Sequence, residues 1–169
     1  MVYLQCVQFV TPKRDCSELL KSDGKWAEAQ VQATLKSLSA ELGNFDWQRL
    51  YDAHSAGGRI PAQVGDFLFF LPGEHGVIEV KETESPDKLK RSNFGDQQLA
   101  LMRIRQLCGG HVWVTVFHTE AKEWTVISLE ALQQQLLKSD TVNVKKIGTT
   151  FGNILDGVMY ILQEVLTKE

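Results

Sequence analysis

Cysteine is scarce, and Cys6, Cys16 and Cys108 form neither a CxxC pair nor an even framework. That excludes a disulfide scaffold and suits a reducing cytoplasm. No apolar run approaches the roughly 18 to 20 residues of a membrane-spanning helix. The opening stretch "MVYLQCVQFVTPKRD" has no basic leader and no A-x-A-like site, so it reads as a first strand rather than a signal peptide. Positive charge is not in excess: the net charge is −3, which argues against indiscriminate coating of nucleic acid. It leaves room for a local basic face, because distribution rather than sum decides that question. His54, His75, His111 and His118 show no zinc-ligand spacing with the cysteines. No glycine-rich P-loop is present, which argues against a nucleotide-driven motor. No Ser-His-Asp arrangement can be placed.

What remains is an ordinary globular composition, 43% hydrophobic and 23% charged over 169 residues. That length can bury a core without staples, and no repeat or linker interrupts it, so a single domain over residues 1–169 is expected. "SDGKWAEAQVQATLKSLSAELG" reads as a helix, with Ser22 or Asp23 as N-cap, Trp26, Val31, Leu35, Leu38 and Leu42 as its apolar positions, and Gly43 at the C-cap position. "FDWQRLYDA" reads as a strand. "VGDFLFFL" and "GVIEVKE" are strands joined across "PGEH". "FGDQQLALMRIRQLCGG" has helical spacing through Leu99, Met102, Ile104 and Leu107, and "HVWVTVFHT" and "EWTVISL" are strands with Trp113 and Trp124 in the core. Two helices, "LEALQQQLLKS" and "FGNILDGVMYILQEVLTKE", close the chain. The order predicts an α/β fold in which helices flank one central mixed sheet.

The chemistry concentrates on the two central strands. A two-residue turn at Pro72-Gly73 pairs Leu71 with Glu74 and, counting back, sets Asp66 opposite Glu79. Two carboxylates that close in an apolar sheet repel each other unless a cation separates them or one takes a proton. Lys81 falls on the same face one step along. A hard divalent ion such as Mg²⁺, with Mn²⁺ as substitute, fits an oxygen-ligand pair of this kind and leaves positions for water and phosphate. The competing reading is a cross-strand ion pair in which Lys81 balances Glu79 or Asp66.

"GDFLFFLPGEHGVIEVKE" resembles the core of the PD-(D/E)xK nuclease superfamily, an Asp on one strand followed by an apolar strand carrying E-x-K. The literal "PD" is degenerate, since Pro61 stands five residues before Asp66. Upstream, "GKWAE" resembles the G-x-x-x-E helix of archaeal and RecU-like Holliday-junction resolvases, with Glu28 at the glutamate. Downstream, Glu79, Lys81, Glu82, Thr83, Asn93, Phe94, Gln98, Gly109 and Gly110 match the RecU-type run, with Val80 where the family has Ala and Gln97 beside Gln98 where it often has His. The likeness covers roughly residues 22–128. It implies a restriction-endonuclease-like core and Mg²⁺-dependent endonuclease activity on branched DNA by a homodimer. It also implies Asp66, Glu79 and the Val80 carbonyl as metal ligands, Lys81 orienting the attacking water, Glu28 as a water-mediated ligand, and Gln98 positioning phosphate or water.

The expected phosphate contacts are Lys25, Arg59 in the glycine-bearing "HSAGGRIP", and Lys88, Lys90 and Arg91 in the loop after the E-x-K strand. Two alternatives remain open. One is another nuclease of the superfamily acting on linear, flapped or nicked DNA. The other is a non-catalytic DNA- or protein-binding module of the same fold. The apolar stripe of the last helix is expected in the core, with a dimer interface as its second reading.

Overall fold

Apolar residues at Ala27, Val31, Leu35 and Leu38 recur every three or four positions, and all four are buried. They make one stripe of a helix, α1 (Lys25–Glu41), with polar residues around the rest. The computed structural model describes residues 25–50 and 63–167. The expected first strand, the N-cap candidates Ser22 and Asp23, and Arg59 lie outside the described residues. Gly43 follows the helix in a turn without the left-handed backbone of an αL cap; among the described glycines only Gly73 and Gly109 have positive φ.

Among the described residues, eight strands and four more helices follow. They are β1 (Asp46–Arg49), β2 (Phe67–Leu71), β3 (Glu74–Thr83), β4 (Lys88–Lys90), α2 (Asp96–Leu107), β5 (His111–His118), β6 (Glu123–Ser128), α3 (Leu129–Leu136), β7 (Thr141–Asn143), α4 (Val144–Ile147), β8 (Thr149–Phe151) and α5 (Ile154–Thr167). Six strands form one sheet in the order β1-β2-β3-β5-β6-β8, in which only β3 and β5 run parallel. The parallel pair requires a crossover, and α2 lies within it. The expected architecture of a mixed sheet with helices on both sides is what forms.

The β2–β3 hairpin turns at Pro72-Gly73, where Gly73 has φ +81°. Proline followed by a glycine of positive φ is the residue signature of a type II turn. Leu71 pairs with Glu74 as expected, and the register runs back to Phe67 opposite Ile78. There β2 begins. The same register carried one residue further sets Asp66 opposite Glu79 as expected, although Asp66 itself lies just outside β2. Its backbone amide reaches the Ile78 carbonyl at 3.1 Å, and its carbonyl accepts from the Leu50 amide at 2.8 Å.

The sheet is covered on both faces. On one, Phe67, Phe69, Ile78, Trp113, Trp124 and Val126 pack against α1 and α5. On the other, Val77, Val112, Val114, Val116 and Ile127 pack against Met102, Leu129 and Leu132 of α2 and α3. This is why β3 is buried continuously from Gly76 to Val80 and does not alternate. In α5, Ile154, Val158, Ile161, Leu162 and Val165 are all buried, so its stripe belongs to the core rather than to an interface. Of the four positions expected to line α2, only Met102 is fully buried; Ile104 and Leu107 are exposed.

The segment after β3 is not the simple loop expected. Lys88 and Lys90 stand on β4, which pairs with β7 in a separate two-stranded ribbon. Leu89 and Val142 anchor that ribbon in the second core. Asn143 donates to Asp87 at 2.6 Å, and the Val144 amide donates to the Asp87 carbonyl at 2.8 Å.

Candidate active site

β3 carries Glu79 and Lys81 on the face that meets α2, because side chains two apart on a strand share a face. Glu79 is 2% exposed, deep for a carboxylate. Both its oxygens are engaged: Lys81 Nζ lies 2.5 Å from Oε1, and Gln98 Nε2 donates to Oε2 at 2.9 Å. Gln98 comes from the first turn of α2. The Lys81 ammonium also sits 5.2 Å from the centre of the Phe94 ring, a cation–π distance. Phe94 is held there by a short 3₁₀ turn, Arg91–Asn93, capped by the Lys90 amide donating to Asn93 Oδ1 at 2.8 Å.

Asp66 meets this group where β2 leaves the ladder. Its Oδ2 accepts from the Val80 amide at 2.7 Å, taking the place a β2 carbonyl would otherwise fill. A strand residue's carbonyl leaves on the same side as its amide, so the Val80 carbonyl is directed toward the Asp66 edge. Burial, and then the charge of Glu79, push Asp66 from the ordinary 3.8 up to about 8, against the opposing Val80 hydrogen bond. Burial likewise raises Glu79, with Lys81 and Gln98 offsetting part of it. Two carboxylates that each disfavour the other's ionisation form an electrostatically unsatisfied pair.

The structure thus brings together Asp66, Glu79, Lys81 and Gln98 around the edge at Val80. Glu28, expected as a water-mediated ligand, comes from the first turn of α1. Its carboxylate is held by Arg49 at 2.7 Å, and its charge still acts on both Asp66 and Glu79. Among the described residues, no group of three or more His, Cys, Asp or Glu side chains is arranged to hold a metal ion. The donors available to one are therefore two carboxylates and a carbonyl. This all-oxygen set fits a hard divalent cation that keeps several waters, and such a charge would relieve the repulsion just described.

Lys88 and Lys90 are exposed on β4 with Leu89 turned inward between them, and Lys25 is exposed at the start of α1. Arg91 lies 3.5 Å from Asp96, so part of its charge is already answered. Three contributors were not singled out from sequence. Arg49 sits in a short strand with no motif around it. Phe94 belongs to the matched run but carried no role. Gly65 precedes Asp66, and a Cβ there would lie 2.4 Å from Val77 Cγ1 and 3.5 Å from Glu79 Oε2. A glycine next to a candidate acid is the signal that could have pointed to this close approach.

No protein-family model matches the sequence, and no curated protein does. Among solved structures the chain is similar to Hjc, a Holliday junction resolvase from the archaeal hyperthermophile Archaeoglobus fulgidus, at 16% identity with a TM-score of 0.48, over 75% of this chain and 98% of that one.

Proposed function

We propose that this chain is a metal-dependent DNA endonuclease that hydrolyses phosphodiester bonds, with branched DNA such as a four-way junction as its preferred substrate. The observation that carries the reading is the buried Glu79, pinned by Lys81 and Gln98 beside an Asp66 that has replaced a strand carbonyl at Val80. These are the residues of the D-x12-E-x-K pattern and of the RecU-like run. The run is what supports branched DNA over linear.

Asp66, Glu79 and the Val80 carbonyl would hold the divalent cation. When bound, it makes water more acidic and offsets charge on the phosphate under attack. Glu79 needs no reorientation, because both its oxygens are already fixed. Lys81 is tethered on one side to Glu79 and on another to the Phe94 ring, and its side chain is 21% exposed. Its remaining donors can orient the attacking water and meet the charge that builds on the phosphorus centre. Gln98 positions Glu79. Lys88 and Lys90, with Arg91 and Lys25, would contact backbone phosphates and carry no sequence preference. A homodimer would present two such sites to opposed strands, as a two-fold branched substrate requires.

The test compares Mg²⁺-dependent cleavage of a four-way junction with that of a linear duplex of the same sequence. Faster junction cleavage is expected. Equal rates would remove the branched-DNA assignment and leave the endonuclease. No cleavage of either, with Mg²⁺ or Mn²⁺, would leave the non-catalytic module.

A further inference from the structure

Both ends of the Glu79–Lys81 ion pair are met by one short stretch of chain outside β3. Gln98, in the first turn of α2, donates to Glu79. Phe94, just before that helix, lies over the Lys81 ammonium, with 5.2 Å between Nζ and the ring centre. Phe94 is 5% exposed and belongs to the second core with Leu89 and Met102. Its amide donates to the Arg91 carbonyl at 2.9 Å, and the next residue, Gly95, is the N-cap of α2, its carbonyl accepting from the Leu99 amide at 3.0 Å. The ring is therefore fixed by its own surroundings, whereas Lys81 carries its charge on a flexible four-carbon stem.

We infer that Phe94 is a positioning residue whose ring face, through its negative potential, keeps the Lys81 ammonium in place when Glu79 serves a divalent cation. This rests on the endonuclease reading of the site. Two contacts are described for the Lys81 head, Glu79 and the ring. Once Glu79 is engaged as a metal ligand, less of its charge is left for Lys81. The ring presents no carboxylate oxygen that a hard cation would take, so its attraction for the ammonium persists. An aliphatic residue of similar size would fill the core and offer no such attraction. Electrostatics and bulk can thus be told apart at this position.

The test replaces Phe94 with its mono-, di- and trifluorinated forms, which keep its shape and drain the ring face, and with leucine in Phe94→Leu. Melting curves first confirm that each variant folds. The substrate is whichever DNA the wild-type chain cleaves, four-way junction or linear duplex. With Mg²⁺, kcat is expected to fall with each added fluorine, by about five- to thirtyfold across the series, while KM and the calorimetric Mg²⁺ affinity stay unchanged. Phe94→Leu should match the trifluorinated form. Apart from activity, the Lys81 ε-methylene protons should show an upfield ring-current shift by NMR in metal-free wild type, and this shift should survive addition of Mg²⁺. A fluorinated series that cleaves at one rate throughout overturns the inference while the endonuclease reading stands. A ring-current shift that Mg²⁺ abolishes does the same, as does a loss confined to KM or to Mg²⁺ affinity. If Phe94→Leu does not fold, the fluorinated forms decide alone. A wild-type chain that cleaves neither DNA, with Mg²⁺ or Mn²⁺, overturns the endonuclease reading and the inference with it.

Discussion

Asp66 and Glu79 are acids held in conditions that favour their neutral forms, and the structure accepts that cost at one edge of one strand. The consequence for stability has a definite sign. Below about pH 4 Asp66 is protonated whether the chain is folded or not. Between its ordinary 3.8 and its folded value of about 8, the unfolded chain releases the proton while the folded chain keeps it. Stability contributed by the protonated acid is therefore lost as pH rises through this window, and levels above it. Glu79 pushes in the same direction. In chelator, the melting temperature should fall from pH 5 to pH 8, and Asp66→Asn should flatten the fall and melt higher than wild type at pH 8. A wild-type melting temperature that rises across that range would contradict the account. Gly65 makes a second residue-scale prediction. The added methyl of Gly65→Ala would meet the fully buried Val77 at 2.4 Å, so denaturant melts should show a loss of about 1–3 kcal/mol.

Elements differ in how much of themselves they show in sequence. α1, β2, β3, β5, β6, α3 and α5 are long enough for a period to be counted, and each forms where its pattern places it. The turn at Pro72-Gly73 even transmits the correct register, because a two-residue turn leaves little choice. β4, β7 and β8 have three residues each and α4 has four, too few to display any period, so these elements went unread. The spacing of α2 also misleads, since Ile104 and Leu107 satisfy a helical count yet remain exposed. At the site, the identities of Asp66, Glu79, Lys81 and Gln98 could be read, but two facts depend on tertiary placement. β2 stops one residue short of Asp66, and Arg49 arrives from an edge strand to take Glu28. The β4–β7 ribbon offers its own test. It holds Lys88 and Lys90 outward on a braced strand, so Lys88→Ala and Lys90→Ala should weaken DNA binding equally for all sequences. Each should lower the slope of log affinity against log salt by about one. An unchanged slope would show that the ribbon makes no phosphate contact.

At the scale of the molecule, the sheet buries both faces and carries a deeply buried carboxylate, Glu79, at the middle of β3. Two cores, one under α1 and α5 and one under α2 and α3, hold the strand rigid from either side. Glu79 is the only carboxylate among the described residues that is buried as deeply as the core. Other buried polar groups have local work: His118 is engaged by the Ser85 carbonyl at 3.0 Å and Thr125 Oγ1 at 2.9 Å, tying the start of the basic segment to the sheet. Glu79 and Asp66 also have local partners, in Lys81, Gln98 and the Val80 amide, yet both remain shifted toward their neutral forms. The central claim is that they hold a divalent cation. Anomalous-difference density from a Mn²⁺-soaked crystal tests it directly. The account predicts a peak touching the carboxylates of Asp66 and Glu79 and the carbonyl of Val80. Density with no peak between the two acids would contradict it.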